Sequence, residues 1–116
     1  MSKYGNKRTF DEDGRPFDSG KELRRYRDLR LLELAGKISE LQTQVKYELI
    51  PEQRDNLGKL IERAVMYTAD FVYREHSALG TYPVLVVEDC KGFKTRDYII
   101  KRKLMLKIHG IRIRET

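Results

Sequence analysis

The sequence has little cysteine and no long hydrophobic run. A single cysteine excludes an internal disulfide framework and is typical of a reduced intracellular setting. The longest apolar stretch, Tyr82 to Val87, is too short for a transmembrane helix, and no hydrophobic run of the secretory type follows Met1. There is no internal repeat and no low-complexity tract. These absences predict a cytoplasmic protein with no membrane partner.

Charge and aromatic residues are what the chain does contain. Its 116 residues suit one domain, and seven Tyr and four Phe argue against a fully disordered chain. Lys and Arg number 24 against 18 Asp and Glu, which gives a net charge of +6. This excess favours a polyanionic partner such as nucleic acid, although ordinary solvated lysines would produce the same excess.

Hydrophobic periodicity predicts a small α/β domain over residues 17–116, preceded by a basic flexible arm over residues 1–16. The expected element order is αβββαβ. The third strand is apolar on both faces, which indicates an inner strand of the sheet. A charged loop is expected over residues 52–59. The predicted elements are a helix over 19–35, strands over 41–50, 61–73 and 82–90, a helix over 95–109, and a short strand around Ile111 and Ile113.

An acid and a lysine stand at the end of the third strand. Side chains alternate between the faces of a strand, so Asp89 and Lys91 point the same way, while Glu88 and Cys90 point the other way. Metal-assisted hydrolysis of a phosphodiester uses this pair, because the carboxylate binds a divalent ion and the lysine orients water and offsets phosphoryl charge. The alternative is a surface ion pair at a strand terminus.

Two further carboxylates are candidates for the same site. Asp70 lies in an apolar and aromatic strand, where a charge must be paired or metal-bound, unless it caps a turn at the strand edge. Glu22 falls on the inward face of the first helix between Tyr26 and Leu29. The alternative for Glu22 is a capping box, in which its side chain returns to the Ser19 N–H.

Several polar side chains are candidates for supporting or phosphate-binding roles. Gln44, in the first strand, could hold a water or a phosphate, or it is simply solvated. Lys101 is either a second cation of the site or a lysine that snorkels from an apolar helix face. The expected DNA-binding cations are Arg24, Arg25, Arg27, Lys94, Arg96 and Lys101.

These residues resemble a known superfamily. Asp70 followed by Asp89-Cys90-Lys91 is similar to the PD-(D/E)xK nuclease signature, with Ala69 where proline is usual. Within that superfamily, Phe17 to Glu22 and Val87 to Gly92 resemble the phage endonuclease I-type Holliday-junction resolvases. They also resemble a group of small phage proteins in which these segments recur with a Gln in the first strand and an Ala-Asp-Phe segment in the second.

The resemblance implies a restriction-endonuclease-like αβββαβ core with a mixed sheet flanked by helices. It implies that Glu22, Asp70 and Asp89 are metal ligands, that Lys91 is the catalytic lysine, and that the metal is Mg²⁺ or Mn²⁺. It further implies a phage-encoded enzyme that acts in the bacterial cytoplasm on branched DNA such as a four-way junction.

Three functions are therefore open at the level of sequence. The first is a divalent-metal-dependent DNA endonuclease of the Holliday-junction resolvase type. The second is a non-catalytic nucleic-acid-binding protein on a nuclease-like fold. The third, a basic adaptor that binds protein, leaves the acids on apolar strands unexplained. A resolvase is expected to be a homodimer, because symmetric resolution needs two active sites, with contacts through residues 1–14 and the apolar faces of the first helix and strand.

Overall fold

The computed structural model describes residues 8–116 and has an α/β architecture with a mixed sheet and two helices, as predicted. The two helices and the four strands of the main sheet follow one another in the expected order αβββαβ. The helices are α1 (Gly20–Leu34) and α2 (Arg96–Leu104). The strands are β1 (Thr9–Phe10), β2 (Pro16–Phe17), β3 (Ile38–Ile50), β4 (Gln53–Arg54), β5 (Leu60–Glu62), β6 (Val65–Glu75), β7 (Val84–Asp89) and β8 (Arg114–Glu115).

Helix α1 begins and ends where its capping residues predict. The Ser19 hydroxyl accepts a hydrogen bond from the Glu22 N–H at 3.1 Å, which satisfies one of the free amides of the first turn. At the other end Gly36 has a φ of 75°, a left-handed conformation that glycine adopts without strain. The Lys37 N–H then donates to the Leu32 carbonyl at 2.9 Å and closes the helix.

The main sheet has the strand order β3-β6-β7-β8. Strand β7 is therefore an inner strand, as its apolar sequence predicted. It pairs in parallel with β8, with Glu88 opposite Arg114 and Asp89 opposite Glu115. The neighbour of β7 on its other side is β6, the strand that carries Asp70.

The prediction of a single strand over residues 61–73 and a loop over 52–59 is wrong. The segment folds into a hairpin of β4 and β5, and the long strand β6 starts only at Val65. The turn forms because one carboxylate oxygen of Asp55 accepts hydrogen bonds from the Leu57 and Lys59 N–H groups, both at 2.9 Å. This local competition by an Asp side chain does not show in the hydrophobic pattern.

The limits of the other predicted strands also differ. Strand β3 begins at Ile38 rather than residue 41. Strand β7 is shorter than 82–90, and its Val84 and Leu85 are exposed, so burial on both faces holds only from Val86 onward. Strand β8 pairs only with the carboxyl end of β7, at Glu88 and Asp89, so the first half of β7 lacks this neighbour.

The second helical segment runs over the predicted span but in two geometries. Thr95 caps α2 by accepting from the Tyr98 N–H at 3.1 Å. Beyond Leu104 the chain continues as a π-helical turn, Met105–His109, which ends at Gly110 with a φ of 67°. The last strand lies at β8, beyond the predicted Ile111 and Ile113.

The chain divides into two compact units. One comprises residues up to 41 with 73–86, and the other comprises 42–72 with 87–116. In the first unit the rings of Phe17 and Tyr26 pack 5.0 Å apart. The second unit has a hydrophobic core of buried residues from its strands, α2, the π-helical turn and the segment before β8: Leu49, Tyr67, Ala69, Val72, Val87, Tyr98, Met105 and Ile113.

The segment predicted as a flexible arm has structure in its second half. Thr9 pairs with Phe17 and Phe10 with Pro16 in an antiparallel hairpin of β1 and β2. Asp11 closes the turn by accepting from the Asp13 and Arg15 N–H groups. Residues 1–7 of the predicted arm lie outside the described residues. No helix within residues 8–116 is long and apolar enough to cross a membrane.

The Ser19 cap provides a direct test of why α1 begins where it does. We expect Ser19→Ala to lower the free energy of unfolding by about 1 kcal/mol, because an amide of the first turn loses its acceptor. Ser19→Asp keeps an acceptor and should stay within a few tenths of wild type. Urea denaturation followed by circular dichroism measures both, and equal stability of Ser19→Ala and wild type would contradict this role.

Candidate functional site

Two adjacent strands bring Asp70 and Asp89 together. Asp70 lies on β6, and Asp89 is the last residue of β7. The backbone N–H of Cys90, the next residue, donates to Asp70 Oδ2 at 2.9 Å and holds that carboxyl against the end of β7. The sequence prediction that the two acids converge therefore agrees with the structure.

Asp89 is a buried carboxyl group with an incomplete set of partners. Only 1% of the residue is exposed. The Tyr67 hydroxyl donates to Oδ2 at 2.6 Å, whereas Oδ1 accepts no hydrogen bond from any residue between 8 and 116. The ammonium of Lys91 lies 3.4 Å from Oδ1, at an ion-pair distance. A buried carboxylate oxygen without a hydrogen-bond donor is costly, so the site favours a positive charge or a proton at this point.

The environment of Asp70 disfavours its charged form. Burial, a hydrogen bond with the Asp89 carboxyl and the negative charge of that group, in this order of size, raise the pKa of Asp70 from 3.8 to about 8. The Cys90 amide and the Lys91 ammonium act in the opposite direction. The net effect is that Asp70 binds a proton more readily than an ordinary carboxyl group does.

The position of Lys91 is fixed by an aromatic ring and by strand pairing. Its ammonium lies 4.7 Å from the centroid of the Tyr98 ring, within the range of a cation–π contact. Its backbone N–H donates to the Thr116 carbonyl at 3.2 Å, and the Thr116 N–H donates to the Asp89 carbonyl at 3.0 Å. The β7–β8 ladder thus continues past Asp89 and keeps Lys91 beside it.

Tyr98 is itself held by Glu115 on β8. The phenol donates to Glu115 Oε2 at 2.7 Å, and the same oxygen accepts from Arg102 at 3.1 Å. Lys94 adds an ion pair to the other oxygen at 3.4 Å. These donors, with Tyr98 the largest contributor, lower the pKa of Glu115. Burial, the Glu115 hydrogen bond and the charge of Asp89 raise the pKa of Tyr98, which keeps it a phenol.

Sequence reasoning did not identify Tyr67, Tyr98 and Glu115 as parts of the site. Each was indistinguishable from a core or surface residue by type and spacing. The one signal available was that Tyr98 shares a helix stripe with Lys101, but its contact with Lys91 depends on how α2 packs on the sheet. Glu115 joins the site through the register that places it opposite Asp89.

Gln44 lies beside the carboxyl pair. Its side-chain amide donates to Asp70 Oδ1 at 3.4 Å. Gln44 also has a φ of 55°, a left-handed conformation that interrupts the regular strand β3. Glu40, earlier in β3, has the same left-handed conformation with a φ of 57°, so the role of Gln44 rests on its hydrogen bond to Asp70.

Glu88 and Cys90 occupy the other side of β7, as strand alternation predicted. Glu88 is fully buried, and the Thr116 hydroxyl donates to its Oε2 at 3.2 Å. The Cys90 thiol lies 3.3 Å from the same hydroxyl. These contacts are distinct from those of Asp89, which faces Tyr67 and Lys91.

Glu22 and the basic candidates are placed as follows. Glu22 is buried at 5% exposure in the first turn of α1 and belongs to the first compact unit, whereas the carboxyl pair belongs to the second.

The predicted DNA-binding cations differ in exposure. Arg25 and Lys101 are half-buried, and the others are exposed. Two of the exposed ones form ion pairs, Arg27 with Glu12 at 2.9 Å and Lys94 with Glu115.

The carboxyl pair has the chemistry of a site for a hard divalent cation. Mg²⁺ and Mn²⁺ prefer carboxylate oxygens, and Asp89 Oδ1 is a buried oxygen that lacks a donor. Within residues 8–116 no group of three or more His, Cys, Asp or Glu side chains is assembled for a metal. Asp70 and Asp89 are the described side chains of this site that would hold such an ion.

Comparison with known proteins identifies the family. Residues 1–114 match the model of a family described as protein of unknown function DUF1064. The chain belongs to the DUF1064 family. No curated protein and no solved structure matches it. Because the family description assigns no function, the function of this DUF1064 protein has to be argued from the site itself.

The raised pKa of Asp70 predicts how stability depends on pH. Between the unfolded value of 3.8 and the folded value of about 8, the folded protein binds the extra proton, so the free energy of unfolding should fall as pH rises through this window. Asp70→Asn should flatten that fall. Urea denaturation in a chelator at a series of pH values measures the effect, and identical profiles for both proteins would contradict it.

Proposed function

We propose that this DUF1064 protein is a divalent-metal-dependent DNA endonuclease that hydrolyses phosphodiester bonds, with a preference for branched DNA. The observation that carries the proposal is the pairing of half-buried Asp70 with buried Asp89 beside the ammonium of Lys91, where one Asp89 oxygen accepts no hydrogen bond from residues 8–116. Two acids and a lysine carried by neighbouring strands are the groups that metal-assisted phosphodiester hydrolysis requires.

Asp70 and Asp89 are the residues that would hold the divalent ion, and Glu22 is the third ligand that the resemblance to nucleases implies. When bound, such an ion supplies a Lewis acid for the phosphoryl oxygen and lowers the pKa of water. The protein side chains hold the site in register. Tyr67 fixes one oxygen of Asp89, and the Cys90 amide fixes one oxygen of Asp70.

Lys91 provides the positive charge of the site. Its ammonium faces Asp89 Oδ1 at 3.4 Å and rests on the Tyr98 ring, so it is oriented before a substrate arrives. A fixed cation at this point offsets negative charge that develops on a phosphoryl group and orients an attacking water by hydrogen bonding. Gln44, which donates a hydrogen bond to Asp70, would hold a water or a phosphate oxygen.

The fold and the charge of the chain support DNA as the substrate. The element order αβββαβ is the order of the restriction-endonuclease-like core implied by the sequence resemblance, and we propose that the sheet and helices form that core. The net charge of +6 favours a polyanion. Branched DNA is the substrate class of the resolvases that the sequence resembles.

A non-catalytic nucleic-acid-binding protein is the second candidate. It is favoured by the raised pKa of Asp70, because a proton on that group compensates the negative charge of the site without a metal. The described residues also assemble no group of three acidic or imidazole ligands. Cleavage of a labelled four-way junction in the presence of Mg²⁺ but not of chelator distinguishes the enzyme from the binding protein.

Three single substitutions test the site. We expect Asp70→Asn, Asp89→Asn and Lys91→Ala each to reduce junction cleavage by at least about a hundredfold, because each removes a metal-binding oxygen or the fixed cation. Junction affinity, measured by fluorescence anisotropy in Ca²⁺, should change little, since affinity comes from many phosphate contacts. Cleavage by Asp89→Asn at a rate near wild type would contradict the assignment.

Glu88→Gln is the matched control for these substitutions. It removes a buried carboxylate one residue from Asp89 but on the other side of the strand, and glutamine still accepts from the Thr116 hydroxyl. Its effect on cleavage should be milder than that of Asp89→Asn at equal folded fraction.

Mg²⁺ and Mn²⁺ should support cleavage, and Ca²⁺ should support binding only. Cleavage that survives removal of divalent ions by a chelator would exclude the metal mechanism.

We further propose that the enzyme acts as a homodimer with two active sites. Helix α1 carries exposed Leu31 and Leu34, which are candidates for the contact with a second copy. Light scattering at micromolar concentration should give twice the mass of the 116-residue chain. Dimers that combine one active subunit with one Lys91→Ala subunit should nick one strand and leave the junction unresolved. A monomeric mass together with full bilateral resolution would contradict the dimer.

A further inference from the structure

A small cavity lies at the carboxyl-terminal side of the second compact unit. Its volume is about 220 Å³, and no residue of the proposed catalytic group lines it. Three of its lining side chains are cations, two are apolar and one is acidic. They are Arg102, Lys103 and Arg112, then Leu106 and Ile113, and finally Glu115.

The single acid of this cavity is already neutralised by its neighbours. Glu115 accepts from Tyr98 at 2.7 Å and from Arg102 at 3.1 Å, and it forms an ion pair with Lys94 at 3.4 Å. Within residues 8–116 neither Lys103 nor Arg112 has an ion-pair partner. The cavity therefore presents two uncompensated positive charges.

The cavity lies next to the β7–β8 strand pair, in which β7 carries Asp89. Glu115 stands opposite Asp89 in the parallel β7–β8 ladder, and Tyr98 contacts both Glu115 and Lys91. A nucleic acid strand with one phosphate at Lys91 would pass close to this cavity, because neighbouring parallel strands are only about 4.8 Å apart.

We infer that this cavity binds a backbone phosphodiester of the nucleic acid, between Lys103 and Arg112, at a phosphate other than the scissile one. Arginine and lysine are the side chains that bind phosphate oxygens, and 220 Å³ holds a phosphate with several waters. The apolar side chains of Leu106 and Ile113 suit contact with a sugar. The identity of the polymer rests on the proposed function, whereas the anion site rests on the cavity alone.

The double variant Lys103→Gln/Arg112→Gln tests the inference through the salt dependence of binding. Each neutralised phosphate contributes about 0.9 to the slope of log affinity against log salt. The wild-type advantage over the variant should therefore shrink by about 3.5-fold between about 50 mM and about 200 mM salt. Binding of a labelled duplex is measured by fluorescence anisotropy in Ca²⁺, which in the proposed mechanism allows binding without cleavage.

Two further variants serve as controls. Lys107→Gln removes an exposed lysine of the π-helical turn between Lys103 and Arg112; Lys107 does not line the cavity, and the variant should keep the wild-type slope. Lys103→Arg/Arg112→Lys keeps both charges and should also keep it. A slope in the double Gln variant equal to that of Lys107→Gln, or no duplex binding by the wild-type protein, overturns the inference.

Inorganic phosphate separates the two sources of the anion. Titration of phosphate into the wild-type protein, followed by amide chemical shifts of the cavity residues, reports a free anion. Shifts at low millimolar phosphate together with an unchanged slope would assign the cavity to a small anion and overturn the backbone site. If the wild-type protein cleaves DNA but the double Gln variant keeps the wild-type slope, only the phosphate site in the cavity is refuted. If the variant has a reduced slope but the wild-type protein never cleaves, only the nuclease activity is refuted.

Discussion

The structure around the candidate site depends on one electrostatic constraint, which is the pairing of a buried carboxyl group, Asp89, with a half-buried one, Asp70, on neighbouring strands. Asp89 is almost completely buried, and Asp70 is held against it by the Cys90 amide. Two carboxyl groups held together in a medium of low polarity cannot both be negatively charged without a compensating positive charge or proton. The Lys91 ammonium supplies part of this compensation, and the raised pKa of Asp70 favours a proton for the rest.

This constraint explains the polar contacts that surround the pair. Tyr67 donates to Asp89 Oδ2, the oxygen that Lys91 does not face. The Tyr98 ring contacts the Lys91 ammonium, and the Tyr98 hydroxyl donates to Glu115. A continuous chain of contacts therefore runs from Asp89 through Lys91 and Tyr98 to Glu115, which lines the cationic cavity. Such a connected network holds each member in one orientation, which is what a site that must bind a charged group without rearrangement requires.

The predicted helices agree with the structure more closely than the predicted strands do. Ser19 and Thr95 cap the two helices because a hydroxyl satisfies a free amide within three residues, which is a local effect. The strands failed where a local turn competed with the hydrophobic pattern, as at Asp55, and where pairing with a distant strand decided the limits of β7. Strand limits depend on partners far away in the sequence, so periodicity alone does not determine them.

The sequence by itself determined the helix caps, the element order and the shared side of Asp89 and Lys91, because capping and strand alternation act over a few residues. It also singled out Asp70, since a lone acid in an apolar strand needs a partner. Only the tertiary structure decided that Tyr67 contacts Asp89, that Tyr98 contacts Lys91, and that Glu115 holds Tyr98. It also decided that a cationic cavity adjoins Glu115. The register of β7 and β8 and the packing of α2 fix these contacts, and both arise between residues distant in the chain.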